Sequence, residues 1–188
     1  MSIDSKEILP FIQFNGQTPR ERGYEHGTIL SERIDKSIKI YREQFSKQKN
    51  FNEKLILNLC EEYYRGISSF SQDYIEELNS IAINSKQDPL WITALNCRLE
   101  LLNHLALARE NECTVLYDKN TCQLAENSHG IGVTLNFVDP INHARNPSNI
   151  PLHVTLRTVL DRAETLDQAM TIFEQNGPGF GGHSLIGN

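Results

Sequence analysis

Leu30, Ile34, Ile38, Tyr41 and Phe45 recur at spacings of four, four, three and four residues. That period fits an amphipathic helix with a single apolar stripe and does not fit a strand. The same period returns downstream. Ile56, Leu59, Tyr63, Ile67 and Phe70 form a second stripe after a polar break at residues 46–50. Ile75, Leu78 and Ala82 begin a third, which ends in the polar run before Pro89, and Trp91, Leu95, Leu99 and Leu102 mark a fourth. Residues 18–107 are therefore expected to form about four helices, each with one face to bury, and the stripes are the expected core. Thr18, Pro19 and Glu21 supply an N-cap, a first-turn proline and the reciprocal acid of a capping box. Gly23 and Gly27 follow inside that helix at a cost of about 1 kcal/mol each relative to alanine. They read as positions where another backbone comes close. Residues 11–16 read as a short strand closed by the Asn15-Gly16 turn.

Beyond residue 107 the pattern changes. Cys113-Thr114-Val115-Leu116-Tyr117 reads as a strand headed by a cysteine, because β-branched and apolar residues suit a half-buried pleat. Gln123-Leu124-Ala125 is a short strand candidate, Ser128-His129-Gly130 a turn, and residues 131–138 the strongest strand in the chain. Pro151 opens a helix that places Leu152, Leu156, Val159, Leu160 and Ala163 on one face. Thr165-Leu166-Asp167-Gln168 is a capping box that starts another helix through Ala169, Met170 and Phe173. Residues 177–182 are a glycine-rich loop, and residues 183–186 start a further strand. The glycine-rich loop neither follows a strand nor opens a helix, so it is not a dinucleotide fingerprint.

The formal net charge of −6 over 188 residues argues against a nucleic-acid surface, which needs clustered positive charge. No apolar run reaches the roughly 18 residues of a membrane span. The polar, acidic N-terminus lacks the regions of a signal peptide, so a cytoplasmic location is expected. Cys60, Cys97, Cys113 and Cys122 have no C-x-x-C spacing, and Cys60 and Cys97 fall in helical patterns as small buried hydrophobes. The six histidines show no zinc-ligand spacing, and neither a metal nor a cofactor is expected.

Several segments in order are similar to one family. These are Pro19-Arg20-Glu21-Arg22-Gly23-Tyr24-Glu25-His26-Gly27, then Tyr74-Ile75-Glu76-Glu77-Leu78-Asn79-Ser80-Ile81-Ala82 with Ala94-Leu95-Asn96-Cys97-Arg98-Leu99-Glu100. Glu112-Cys113-Thr114, Asn127-Ser128-His129-Gly130-Ile131-Gly132-Val133-Thr134-Leu135-Asn136-Phe137 and His183-Ser184-Leu185-Ile186-Gly187-Asn188 follow. Together they resemble the acyl-coenzyme A:6-aminopenicillanic acid acyltransferase family, N-terminal-nucleophile cysteine hydrolases related to choloylglycine and penicillin V hydrolases. The resemblance implies an α+β chain with a helical pro-region, residues 1–112, and a partial αββα catalytic sandwich, residues 113–188. It implies self-cleavage between Glu112 and Cys113. The released Cys113 would then be both nucleophile and, through its α-amino group of pKa about 7.7–8.0, its own base. Asn136 holds the place of an oxyanion-hole donor, and the implied substrate is a small acyl-amide or acyl-thioester.

The pattern also departs from the family. Glu rather than the usual Gly precedes Cys113, and only residues 114–126 stand where relatives carry a two-stranded insert whose Asp contacts the nucleophile's amine. Asp118, in a turn, does not inherit that role. The expectation is thus a shortened member, in which loss of activity is one outcome. His183 aligns with relatives but reads as a strand-packing residue, and His26 and His104 as surface or satisfied helical residues. Arg20 and Arg22 read as solvated or capped by Glu21 and Glu25, with a structural pair to the catalytic domain as the alternative. The alternative from a different class is a non-catalytic helical binding or dimerisation module, with a homodimer as its simplest assembly.

Overall fold

A computed structural model describes residues 12–48, 51–107, 123–137, 150–176 and 182–187. Within them eight helices and three strands follow one another. The first six helices are α1 (Pro19–Ile29), α2 (Ser31–Ser46), α3 (Glu53–Phe70), α4 (Gln72–Ser85), α5 (Pro89–Asn96) and α6 (Arg98–Leu107). Their starts are set by side-chain caps. Thr18 and Glu21 close the expected capping box of α1, Asn52 accepts from the N–H groups of Lys54 and Leu55, Ser71 accepts from Tyr74, and Asp88 from Leu90. Each satisfies donors that a helix N-terminus leaves free.

The first three stripes meet in one core. Ile34, Ile38, Phe45, Ile56, Leu59, Tyr63, Ile67, Ile75, Leu78 and Ala82 are buried together, with Leu30, Tyr41 and Phe70 packed at its margin. The fourth stripe is corrected. Instead of one helix there are two, broken at Cys97 (φ −113°, ψ 24°). The buried residues are Trp91, Ile92 and Ala94, then Cys97, Leu101 and Leu105, while Leu95 and Leu102 are only partly covered. A nearly continuous apolar run fits several helical phases, so its period cannot select one.

α1 is held differently from its neighbours. Its only buried residues are Gly23 and Gly27. A Cβ on Gly23 would lie 2.4 Å from the Glu77 carbonyl oxygen, and one on Gly27 would lie 2.6 Å from that of Ile81. The four-residue step on both helices shows that α1 and α4 run parallel with their backbones in contact. Ser80 Oγ donates to the Arg20 carbonyl at 2.7 Å across the seam. Ahead of α1, residues 12–16 are irregular, not the expected strand. The backbone N–H groups of Asn15 and Gly16 donate to the Glu25 carboxylate at 2.7 and 3.2 Å, which satisfies them without a ladder partner.

The second half holds β1 (Gln123–Glu126), β2 (Gly132–Phe137), α7 (Leu152–Arg162), α8 (Leu166–Asn176) and β3 (Gly182–Gly187). The strands form one antiparallel sheet in the order β1-β2-β3, with Val133 opposite Ile186 and Asn136 opposite His183. Ile131 and Val133 pack on Leu152, Leu156, Val159, Ala163 and Ala169 from the two helices. Asn127 fastens this unit. Its Nδ2 donates to the carbonyls of Leu160 and Ala163 at the end of α7, and its Oδ1 accepts from His129 and Ile131 in the turn. α7 also reaches the other core, because Ile150 and Val154 belong to the helical cluster.

This architecture overturns the expected αββα sandwich. Such a sandwich stacks two sheets, each burying one face on the other. Among the described residues there is a single three-stranded sheet in a mainly helical chain. The apolar side of β2 is covered by α7 and α8. The stretch read as the strongest strand, residues 131–138, does hold a strand, β2, but what it buries against is helix. The cysteine-headed strand at residues 113–117 lies outside the described residues.

Candidate functional site

Two polar clusters lie where α7 meets the helical half. The first surrounds its N-terminus. Glu100, in the first turn of α6, is buried at 8% exposure, and its Oε1 accepts the Leu152 backbone N–H at 2.8 Å. It therefore caps α7 from another helix, with an acid at the positive end of the helix dipole. Burial nevertheless pushes the Glu100 carboxyl up, against the opposing pull of the Leu152 N–H and the Arg98 charge.

Arg98 Nη1 donates to the Leu95 carbonyl at 2.6 Å, and Nη2 lies 3.0 Å from His153 Nε2. A guanidinium has no acceptor, so Nη2–H donates and Nε2 must carry the lone pair. The ring is then neutral, with its proton on Nδ1. Burial first, and the Arg98 charge second, hold His153 down at about 3. Glu100 Oε2, His153 Nδ1 and Thr155 Oγ1 are buried without a hydrogen-bond partner among the described residues. Three such atoms around one helix start make this joint sensitive to protonation, because unpaired polar groups are costly at low dielectric.

The second cluster lies at the seam of α1, α4 and α7. Glu77 receives Arg22 at 3.2 Å and Arg157 at 3.5 Å. Arg157 also donates to both oxygens of Asp161 at 2.8 Å, and Tyr74 Oη donates to Asp161 at 2.9 Å. Burial first raises the Tyr74 hydroxyl, to about 12, and the Asp161 charge adds to it. Arg22 therefore makes a structural pair, but with α4 of the helical half, neither with Glu21 and Glu25 nor with the second half. Glu21 is used in the capping box, where hydrogen bonds from Thr18 and Gln17 hold its carboxyl low. His26 stacks on Phe14 with ring centroids 5.3 Å apart, and burial lowers its pKa. His104 is exposed on α6.

Of the residues expected to carry chemistry, Glu112 and Cys113 lie outside the described residues. Asn136 sits on β2 opposite His183. Glu100, His153 and Glu77 gave little sequence signal. Glu100 is one acid between Leu99 and Leu101, and Glu77 reads as an ordinary helical surface acid. The signal for Glu100 is its place in an apolar run, where a charged residue needs a partner if it is buried.

No family model matches the chain. With the sandwich replaced by a mainly helical architecture, the resemblance to the acyltransferase family is withdrawn. The autoprocessing amidohydrolase or acyltransferase reading goes with it, because that chemistry needs the sheet-rich frame to hold nucleophile and oxyanion donors in register. Among the described residues no group of three or more His, Cys, Asp or Glu is placed to hold a metal ion. No helix among them is long and apolar enough to cross a membrane.

Proposed function

We propose that the chain is a non-catalytic helical binding module whose partner is a second copy of itself, joined through the outer face of α4. The observation that carries this reading is Ile83, which is 74% exposed in the last turn of a helix whose other apolar positions are buried or partly buried. Tyr24 and Ile29 of the parallel neighbour α1 are also more than half exposed. Single exposed apolar residues are common, so the charge pattern is what selects the occupant. Glu76 lies two turns before Ile83 on the same face, and Lys86 follows it. A two-fold axis near Ile83 sets the α4 helices antiparallel, so Glu76 of each copy faces Lys86 of the other. Self-pairing of this kind is isologous and closes at two subunits. It also brings opposite helix-dipole ends together.

Sedimentation velocity over a concentration series tests it. The expected result is a monomer–dimer equilibrium that Ile83→Glu abolishes without unfolding the chain. Glu76→Lys should weaken the dimer, and adding Lys86→Glu should restore it. A wild-type chain that stays monomeric throughout, or a dimer indifferent to Ile83→Glu, overturns the reading.

A further inference from the structure

The segment ahead of α1 places reactive groups side by side. The backbone N–H groups of Asn15 and Gly16 both donate to Glu25 Oε2, at 2.7 and 3.2 Å. Asn15 is exposed, and its Oδ1 accepts from Gln13 Nε2 at 3.4 Å. Packing demands the glycine, because a Cβ on Gly16 would lie 2.6 Å from the Arg22 nitrogen and 2.6 Å from the Glu21 carbonyl carbon. The least hindered backbone nitrogen therefore follows directly after an exposed asparagine, a thermolabile side chain. Phe14 of the same segment stacks on His26, so Glu25 and His26 together hold residues 14–16 against α1.

We propose that Asn15-Gly16 is a self-modifying site, at which the Gly16 nitrogen displaces the Asn15 side-chain amide and residue 15 becomes aspartate or isoaspartate, with Glu25 as the base. The step balances with water as the only co-reactant. Gly16 N bonds to Asn15 Cγ and passes its proton to Glu25 Oε2. Charge builds on Oδ1, where the Gln13 amide N–H already donates. The Cγ–Nδ2 bond breaks, and the nitrogen takes the proton from Glu25 and leaves as ammonia. Water then opens the cyclic imide at either carbonyl. The product is an aspartate linked onward through its backbone or through its side chain. A carbonyl acceptor would only shield the Gly16 N–H, whereas a carboxylate can receive its proton.

The product undoes the seat that made it. A carboxylate at residue 15 stands beside Glu25, and like charges at short range repel. The isoaspartyl link also adds a methylene to the backbone, which moves the two N–H groups off Glu25 Oε2. The segment then leaves α1, and Phe14 leaves His26. The other Asn-Gly pair, Asn176-Gly177, stands at the end of α8. There Asn176 Nδ2 donates to the Ile172 carbonyl at 2.7 Å, which draws the amide back along its own helix.

The full chain is incubated near neutral pH beside a synthetic peptide of residues 10–20. Residue 15 is followed by peptide mass spectrometry, with fragmentation that separates aspartate from isoaspartate. The expected result is exchange of NH2 for OH at Asn15, several-fold faster in the folded chain than in the peptide. Glu25→Gln keeps an acceptor but not a base, so it should bring the rate down to that of the peptide. The His26 ring resonances report the seat. They should keep the Phe14 ring-current shift in Glu25→Gln, and lose it as Asn15 converts or from the start in Asn15→Asp. If Glu25→Gln loses that shift, the wild-type chain against the peptide decides alone. An Asn15 that lasts as long in the folded chain as in the peptide, or longer, overturns the proposal. So does a Glu25→Gln chain that keeps the shift and converts at the wild-type rate. An Asn15→Asp chain that keeps the shift overturns the release of the segment.

Discussion

The seats of α1 and α7 are opposite solutions to the same problem of attaching a helix. α1 buries two glycines and no apolar side chain. It is held by backbone contact along α4, by Ser80, and by the Arg22–Glu77 pair. α7 buries Leu152, Val154, Thr155, Leu156, Thr158 and Val159, with Val154 in the helical core and Leu152, Leu156 and Val159 in the sheet-side core. The first seat has no volume to lose and none to spare. The second depends on filled volume on two sides. The two should therefore fail to opposite substitutions.

The largest effect is expected from deletion at α7. Leu152 is 1% exposed, and Leu152→Ala should cost about 2–5 kcal/mol, the range for emptying a core position. The backbone N–H that Glu100 accepts remains in that variant, so chemical denaturation reads the cavity alone. A loss below about 1 kcal/mol would mean that the sheet-side core collapses around the gap, and the contrast with α1 would weaken.

Addition at α1 comes next. Gly23→Ala gains helix propensity of about 1 kcal/mol but places a methyl 2.4 Å from a carbonyl oxygen of α4. Overpacking of this kind costs about 1–3 kcal/mol, and more when the obstacle cannot move. The net effect should be destabilising, and larger than for a glycine-to-alanine change on an open helix face. Thermal melts of Gly23→Ala, Gly27→Ala and the double variant measure it. A stabilised Gly23→Ala would mean that the seam is not closed.

How far these seats are legible in the sequence differs in the same way. Gly23 and Gly27 announce close approach, because glycine inside a helix needs a reason, although the sequence does not name α4 as the neighbour. The apolar stripe of α7 announces its sheet-side face. Its second buried face, Val154 with Thr155 and Thr158, carries two hydroxyl residues that look solvent-facing, and Thr158 satisfies its hydroxyl on the Val154 carbonyl at 2.8 Å. The capping boxes are readable because they are local. Glu164 adjusts the second one, since its N–H rather than that of Thr165 donates to Gln168 at 2.8 Å. The sandwich expectation failed for a reason of the same kind. An apolar strand face specifies that something covers it, and α7 and α8 serve as well as a second sheet.

The joint at the start of α7 predicts a pH dependence with two opposed contributions. His153 sits at about 3 when folded against an ordinary 6.5, so the unfolded chain binds more protons between those values. Stability should therefore fall as pH drops from about 6.5 toward 3. Glu100 acts in the opposite sense. Its folded pKa lies above the ordinary 4.5, so the folded chain holds the extra proton and stability falls as pH rises through that window. His153→Gln should flatten the acid side of a plot of melting temperature against pH, and Glu100→Gln should flatten the decline above 4.5. The opposite assignment of slopes would show that Arg98 does not hold the imidazole neutral.

The smallest effect belongs to the ion pairs that finish the α1 seam. Arg22 is 32% exposed at its side chain and Glu77 is 14% exposed, so the pair is partly screened. Arg22→Ala should cost about 0.5–1 kcal/mol, because Glu77 keeps Arg157. The cost should shrink in high salt, where screening reaches charges near the surface. Gly23→Ala should show no such salt dependence, because carbonyl–methyl overlap is steric. Measuring both variants at low and high ionic strength separates the two contributions to one seam. If Arg22→Ala matched Gly23→Ala in size and ignored salt, α1 would be held by its side chains after all, and the backbone contact would be incidental.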